Sequence, residues 1–167
     1  MYKFTTADGV TRVRGRFENV DEGDAYMVEM WNATVKPSDK IWHLGDVTMG
    51  RTAWERDRIT KLMKGLNGHK RLVLGNHDHF GPRDYAEMGF EKVCGVHNLE
   101  KLLLSHVPLH PSSVAGWCIA NVHGHIHQQD SPPGPYVNVC VEKTDYMPIA
   151  LEDVVKLAKK AREEGER

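Results

Sequence analysis

The chain has 167 residues, 40% hydrophobic and 27% charged, with a formal net charge of -1, which suits one globular domain with a core of its own. Near-neutral charge argues against a general attraction to duplex nucleic acid, and no apolar run approaches the roughly 18 residues of a membrane span. Three widely spaced cysteines, Cys94, Cys118 and Cys140, and an N-terminus without a signal-peptide core set the expectation of a cytoplasmic protein with reduced thiols.

In chain order, Tyr2 to Ala7 predicts a first strand running into Asp8-Gly9. From Val10 to Phe17, Arg12, Arg14 and Arg16 alternate with Val13 and Gly15, the pattern of an exposed strand or extended loop. Ala25 to Val35 predicts a helix with Met27, Met30, Trp31 and Thr34 near one face, stopped by Lys36-Pro37. Lys40 to Leu44 is a strand ending at Gly45-Asp46, and Thr52 caps a helix from Ala53 to about Leu66. Arg71 to Leu74 is the next strand, and its apolar run breaks into Gly75, Asn76, His77, Asp78 and His79. A short helix over Pro82 to Met88 and strands over Phe90 to Cys94, Lys101 to Leu104, Cys118 to Val122 and Tyr136 to Val141 follow, with an amphipathic helix over Leu151 to Ala161. Strands alternating with helices define an α/β domain, here a single one over residues 1–167.

Five strands end in an acid, an amide or an imidazole: Asp8, Asp46, Asn76 with His77, His106, and His125 with His127. One such ending is turn chemistry, whereas five in order form a ligand set at the strand ends, where open α/β sheets bind ligands. Carboxylate, amide carbonyl and imidazole together suit divalent Mn, Fe, Zn or Ni. Of the other histidines, His43 and His123 are expected to pack beside the ligands. His79 and His110 suit substrate contact and plain surface equally, and His69 and His97 are structural or exposed.

Gly45-Asp46, the GNHD at 75–78, Ser105-His106 and the GHIH at 124–127 occur in that order, and over residues 17–150 they resemble the calcineurin-like metallophosphoesterase family, in particular its short, capless bacterial and phage members. The resemblance implies a four-layer α/β/β/α sandwich, two mixed sheets flanked by helices, with two divalent metal ions at the strand ends: Mn first, Fe, Zn or Ni as alternatives. By matching motif, Asp46 would bridge both ions, Asn76, His106 and His125 would complete one, and Asp8 and His127 would bind the other. His77 would act beside the substrate, with Asp78 holding its ring. The implied activity is hydrolysis of a small phosphodiester, of nucleotide type or a nucleic-acid end, by hydroxide activated between the metals. No membrane is involved.

The chain departs from the family at its first motif, where Asp8-Gly9-Val10 stands for Asp-x-His, and valine offers no donor. The segment from Asp8 to Phe17 is also short and lacks a further histidine. The metal at Asp8 is therefore expected to be weaker than the one at Asn76, His106 and His125. Arg12 and Arg14 are candidate phosphate-binding groups that would offset its charge, or an exposed basic edge. Asp21, Glu22 or Asp24 could replace the lost imidazole. The alternative reading is a degenerate relative that binds metal with a nucleotide, phosphate or a partner protein and does not turn over.

Overall fold

The computed structural model describes residues 2–5, 11–14, 17–114 and 116–165, the first two stretches as strand backbone. Strands β1 (Tyr2–Thr5) and β2 (Thr11–Arg14) form an antiparallel pair with Tyr2 opposite Arg14. Helix α1 (Val20–Thr34) starts well before the expected Ala25 because its N-terminus is capped twice over. Asn19 Oδ1 accepts from the Glu22 amide at 2.9 Å, and Glu22 Oε2 accepts from the Glu18 amide at 2.7 Å. Gly23 of α1 lies where a Cβ would come within 3.3 Å of the Phe17 ring.

The first sheet is parallel, in the order β3 (Lys40–His43), β4 (His69–Val73), β5 (Phe90–Cys94). Parallel neighbours need crossovers, and helices α2 (Ala53–Lys64) and α3 (Pro82–Glu87) provide them. Thr52 caps α2 as its sequence predicts, accepting from the Glu55 amide at 3.1 Å. Leu72 and Val73 are both fully buried and, being adjacent in a strand, face opposite ways. Leu72 packs with Ile59 and Met63 of α2, Tyr85 of α3, Met88 and Phe90. Val73 joins Leu102, Leu104, Ala120, Val122 and Val137 of the second sheet, with Val154 and Ala158. Each buried Val, Leu, Ile, Met or Phe among these contributes about 1.5–3 kcal/mol.

The second sheet is mixed, in the order β6 (Val96–Leu99), β7 (Leu102–Ser105), β8 (Ala120–His123), β9 (Tyr136–Asn138), with β6 antiparallel to β7 and the remaining pairs parallel. Strand β6 has no counterpart among the predicted elements. Its hairpin to β7 turns through Glu100 and Lys101 at φ of 50° and 69°, a two-residue turn that usually announces itself as Asn-Gly or Asp-Gly. Helix α4 (Pro111–Val114) lies between β7 and β8, and α5 (Leu151–Gly165) packs on β8 and β9.

Strand β9 stops at Asn138, short of the predicted Val141, because the Asn138 side chain turns the chain. Its Oδ1 accepts from the Cys140 amide at 2.9 Å and its Nδ2 donates to the carbonyls of His127 and Gln129 at 2.8 and 3.0 Å. A 3-10 turn, Val141–Lys143, follows. The molecule is therefore α/β, with one parallel and one mixed sheet, the separate β1–β2 pair and flanking helices. Among the described residues no helix is long and apolar enough to cross a membrane.

Candidate metal centre

The motif residues sit in the loops after β3, β4, β7 and β8, each a strand with a parallel neighbour. Two glycines bring the first two loops into contact. A Cβ on Gly75 would fall 2.2 Å from Asp46 Oδ1, and one on Gly45, at φ 90°, 2.5 Å from His106 Nδ1. The third and fourth loops are tied by the Gly124 amide donating to the His106 carbonyl at 2.9 Å.

His106, buried on β7's end, organises the cluster. Its Nδ1–H donates to the Leu44 carbonyl at 2.7 Å, since a carbonyl can only accept. Nε2 is thereby turned toward Asn76 Oδ1 at 2.9 Å, His125 Nδ1 at 3.1 Å and Asp46 Oδ2 at 3.3 Å. Ligand atoms of Asp46, His106 and His125 all lie within 4.8 Å of one another. Asp46 Oδ2 and Asn76 Oδ1 accept, and with hydrogen on Nδ1 a neutral His106 ring turns a third lone pair to the same point, an arrangement that favours positive charge between them, whether a proton or a cation. Oxygen and imidazole donors at these separations fit a divalent cation.

The protonation balance follows the same logic. Burial pushes the Asp46 carboxyl up, but the hydrogen bonds from His106 and the His77 amide outweigh it and hold the group below the usual range. Burial pushes the His106 imidazole down, and its bonds to Asp46 and Leu44 outweigh that and raise it. His125 is lowered by burial and by His106 beside it, with His127 and His77 adding smaller effects of the same sign.

Asp46, His125 and His127 all adopt left-handed backbone, with φ of 57°, 69° and 53°. Such conformations cost about 1–3 kcal/mol each for non-glycine residues and concentrate at functional sites. The Asp46 turn is held by Asp78, whose Oδ2 accepts from the Gly75 and Asp46 amides at 2.7 and 2.9 Å and whose Oδ1 accepts from the Val47 amide at 2.9 Å. Both Asp78 oxygens thus bind backbone amides and fix the carboxylate-bearing loop. His77 donates its amide to Asp46 Oδ1 at 2.9 Å, and its ring lies 6.2 Å from that of His79.

Asp46, Asn76, His106 and His125 are brought together as expected. The Nδ1–H of His127 donates to Glu142 Oε1 at 3.0 Å. Asp8 and Val10 lie outside the described residues, as do the side chains of Arg12 and Arg14. Asp21, Glu22 and Asp24 are helical residues of α1, engaged elsewhere: Asp24 and Asp21 pair with Arg58, and Glu22 caps its own helix. His123 packs behind the ligands with Nε2 bonded to Ser131 Oγ at 3.0 Å. Sequence reasoning missed Glu142, which sits in the turn after β9. It also missed the contact of Arg51 with His79 Nε2 at 2.9 Å; both depend on loop placement.

The fold and centre define an α/β domain that gathers carboxylate, amide and imidazole ligands at the ends of parallel strands. No family model matches the chain. It belongs to the family of the uncharacterized protein MJ1445 of Methanocaldococcus jannaschii, to which it is 30% identical over 155 residues covering 87% of this chain and 81% of that protein. The Gene 66 protein of Mycobacterium phage L5 is 36% identical over 73 residues, 40% of this chain and 31% of the phage protein. In fold, the chain is similar to the crystal structure of the protein of unknown function AQ665 from Aquifex aeolicus, with a TM-score of 0.63 at 24% identity over 86% of this chain and 88% of that one.

Proposed function

We propose that the chain is a metal-dependent phosphoesterase of the calcineurin-like class, a four-layer α/β/β/α sandwich that hydrolyses phosphodiesters of nucleotide type with two divalent ions, Mn first among them. The observation that carries this reading is the convergence of Asp46 Oδ2, Asn76 Oδ1, His125 Nδ1 and His106 Nε2 on one point. A purely structural zinc site fits less well, because such sites are closed four-ligand sets that commonly contain cysteine, whereas Asn76 and His125 are exposed.

When bound, the metals supply Lewis-acid polarisation of the phosphoryl group and acidify the attacking water. The chain's own residues do the rest. Asp78 and the His77 amide hold Asp46 in one orientation, so its carboxylate needs no rearrangement on binding. His106 keeps one tautomer through Leu44. The His77 imidazole would steady a phosphoryl oxygen or protonate the leaving oxygen. Arg51, fixed on His79, offers a guanidinium to the phosphate. The exposure of Asn76 and His125 suits an extended diester.

Val10 favours a second reading, in which the chain binds metal and phosphate without turnover, since that position has no donor. A chromogenic aryl phosphodiester assayed with Mn, Ni, Zn and Mg separates the two. Metal-dependent release that chelator abolishes, and that Asn76→Ala and His106→Ala reduce to background, is the expected result. Inactivity with every metal in folded protein overturns catalysis.

A further inference from the structure

We infer that Glu142 is a positioning residue for the metal centre: it holds the hydrogen of His127 on Nδ1, so that Nε2 is presented as the lone pair for the cation of the weaker site. The inference rests on the metal-centre reading above and goes beyond the ligand set the motifs supply.

Three observations carry it. Glu142 Oε1 lies 3.0 Å from His127 Nδ1, and the two side chains are 13% and 30% exposed, so the pair is sheltered from full solvent screening. A carboxylate can only accept, so the shared hydrogen belongs to Nδ1 and the neutral ring must carry its lone pair on Nε2. Both partners are built into place. His127 sits at φ 53°, and Glu142 lies in the 3-10 turn that begins where Asn138 ends β9. The same Asn138 donates to the His127 carbonyl at 2.8 Å, so one side chain sets the positions of both loops.

The arrangement repeats, with a different acceptor, what Leu44 does for His106. A backbone carbonyl orients the imidazole of the tighter site, and a full carboxylate orients that of the weaker one. The negative charge behind His127 raises the basicity of its Nε2. That would compensate for the donor that Val10 lacks by comparison with the motif the sequence resembles.

The test uses the full chain. In metal-free, 15N-labelled protein well above the imidazole titration range, long-range proton–nitrogen spectra should show His127 with hydrogen on Nδ1. Glu142→Ala should shift it toward the Nε2–H form that free imidazoles prefer, and Glu142→Gln, which keeps an acceptor oxygen, should retain Nδ1–H. In titrations with Mn alone, Glu142→Ala should weaken the second equivalent by about 10–100-fold with the first unchanged, and Glu142→Gln should recover most of that loss. An Nε2–H tautomer in the parent chain, an unchanged tautomer in Glu142→Ala, or a second equivalent unmoved by that substitution would each overturn the inference. Failure of the phosphoesterase reading looks different: diester hydrolysis is absent while the tautomer and Mn results stand.

Discussion

Asp78→Ala removes one carboxylate and leaves three backbone amides, those of Gly75, Asp46 and Val47, without their acceptor. A hydrogen bond to a charged group contributes about 1.5–3 kcal/mol, so three independent bonds would sum to about 4.5–9 kcal/mol. They share one side chain at a half-exposed loop, where water can replace part of what is lost and additivity fails. The expected destabilisation of metal-free protein is therefore about 3 kcal/mol. At about 2–4 °C per kcal/mol for a chain of this size, the Tm falls by roughly 6–12 °C. Asp78→Asn keeps one oxygen, which can serve Gly75 and Asp46 together, but turns an amino group on the Val47 amide. It should cost about half as much. Urea denaturation in chelator measures both. A loss below about 1 kcal/mol for Asp78→Ala, or equal losses for the two variants, would refute the account of Asp78 as the brace of the Asp46 loop.

Gly75→Ala places a Cβ 2.2 Å from Asp46 Oδ1, so Mn affinity should drop sharply while the circular dichroism spectrum is preserved; parent-like binding would contradict the close approach. Replacing Glu100-Lys101 by Asn-Gly relieves two left-handed residues and should stabilise the β6–β7 hairpin by about 1 kcal/mol, read from the denaturation midpoint, with no gain counting against the turn assignment. His43 is lowered because burial outweighs the pull of Asp78 and Asp46 on its charged form. A depressed folded value means stability that is present above the unfolded value of about 6.5 and lost as pH falls below it. His43→Leu, which also removes a buried Nδ1 lacking a partner among the described residues, should therefore make the acid side of the stability profile shallower in metal-free protein; an identical slope would sink this.

The clustered residues were legible because each follows an apolar strand closely, so the change from Leu72-Val73-Leu74 to Gly75-Asn76-His77-Asp78 is visible without tertiary knowledge. The same holds for Asp46, His106 and His125. What stayed hidden depends on backbone conformation or distant amides. Strand β6 was missed because Glu100 and Lys101 adopt positive φ without a glycine. The start of α1 was placed too late, at Ala25, whereas the cap at Asn19 sets it at Val20. That Asp78 braces the Asp46 loop stayed unread, since sequence carries no trace of which loop's amides a carboxylate will meet. Glu142 lies in an irregular turn and offers no motif.

The centre draws Asp46 and Asn76 from the loops of the parallel sheet and His106 and His125 from those of the mixed one, and Gly95 is the one residue between the last strand of the former and the first strand of the latter. Each half of the polypeptide thus owns an incomplete set of donors. A cation seated there would act as a cross-tie over the seam between the two sheets, whose shared core already joins Val73 to Leu102 and Leu104.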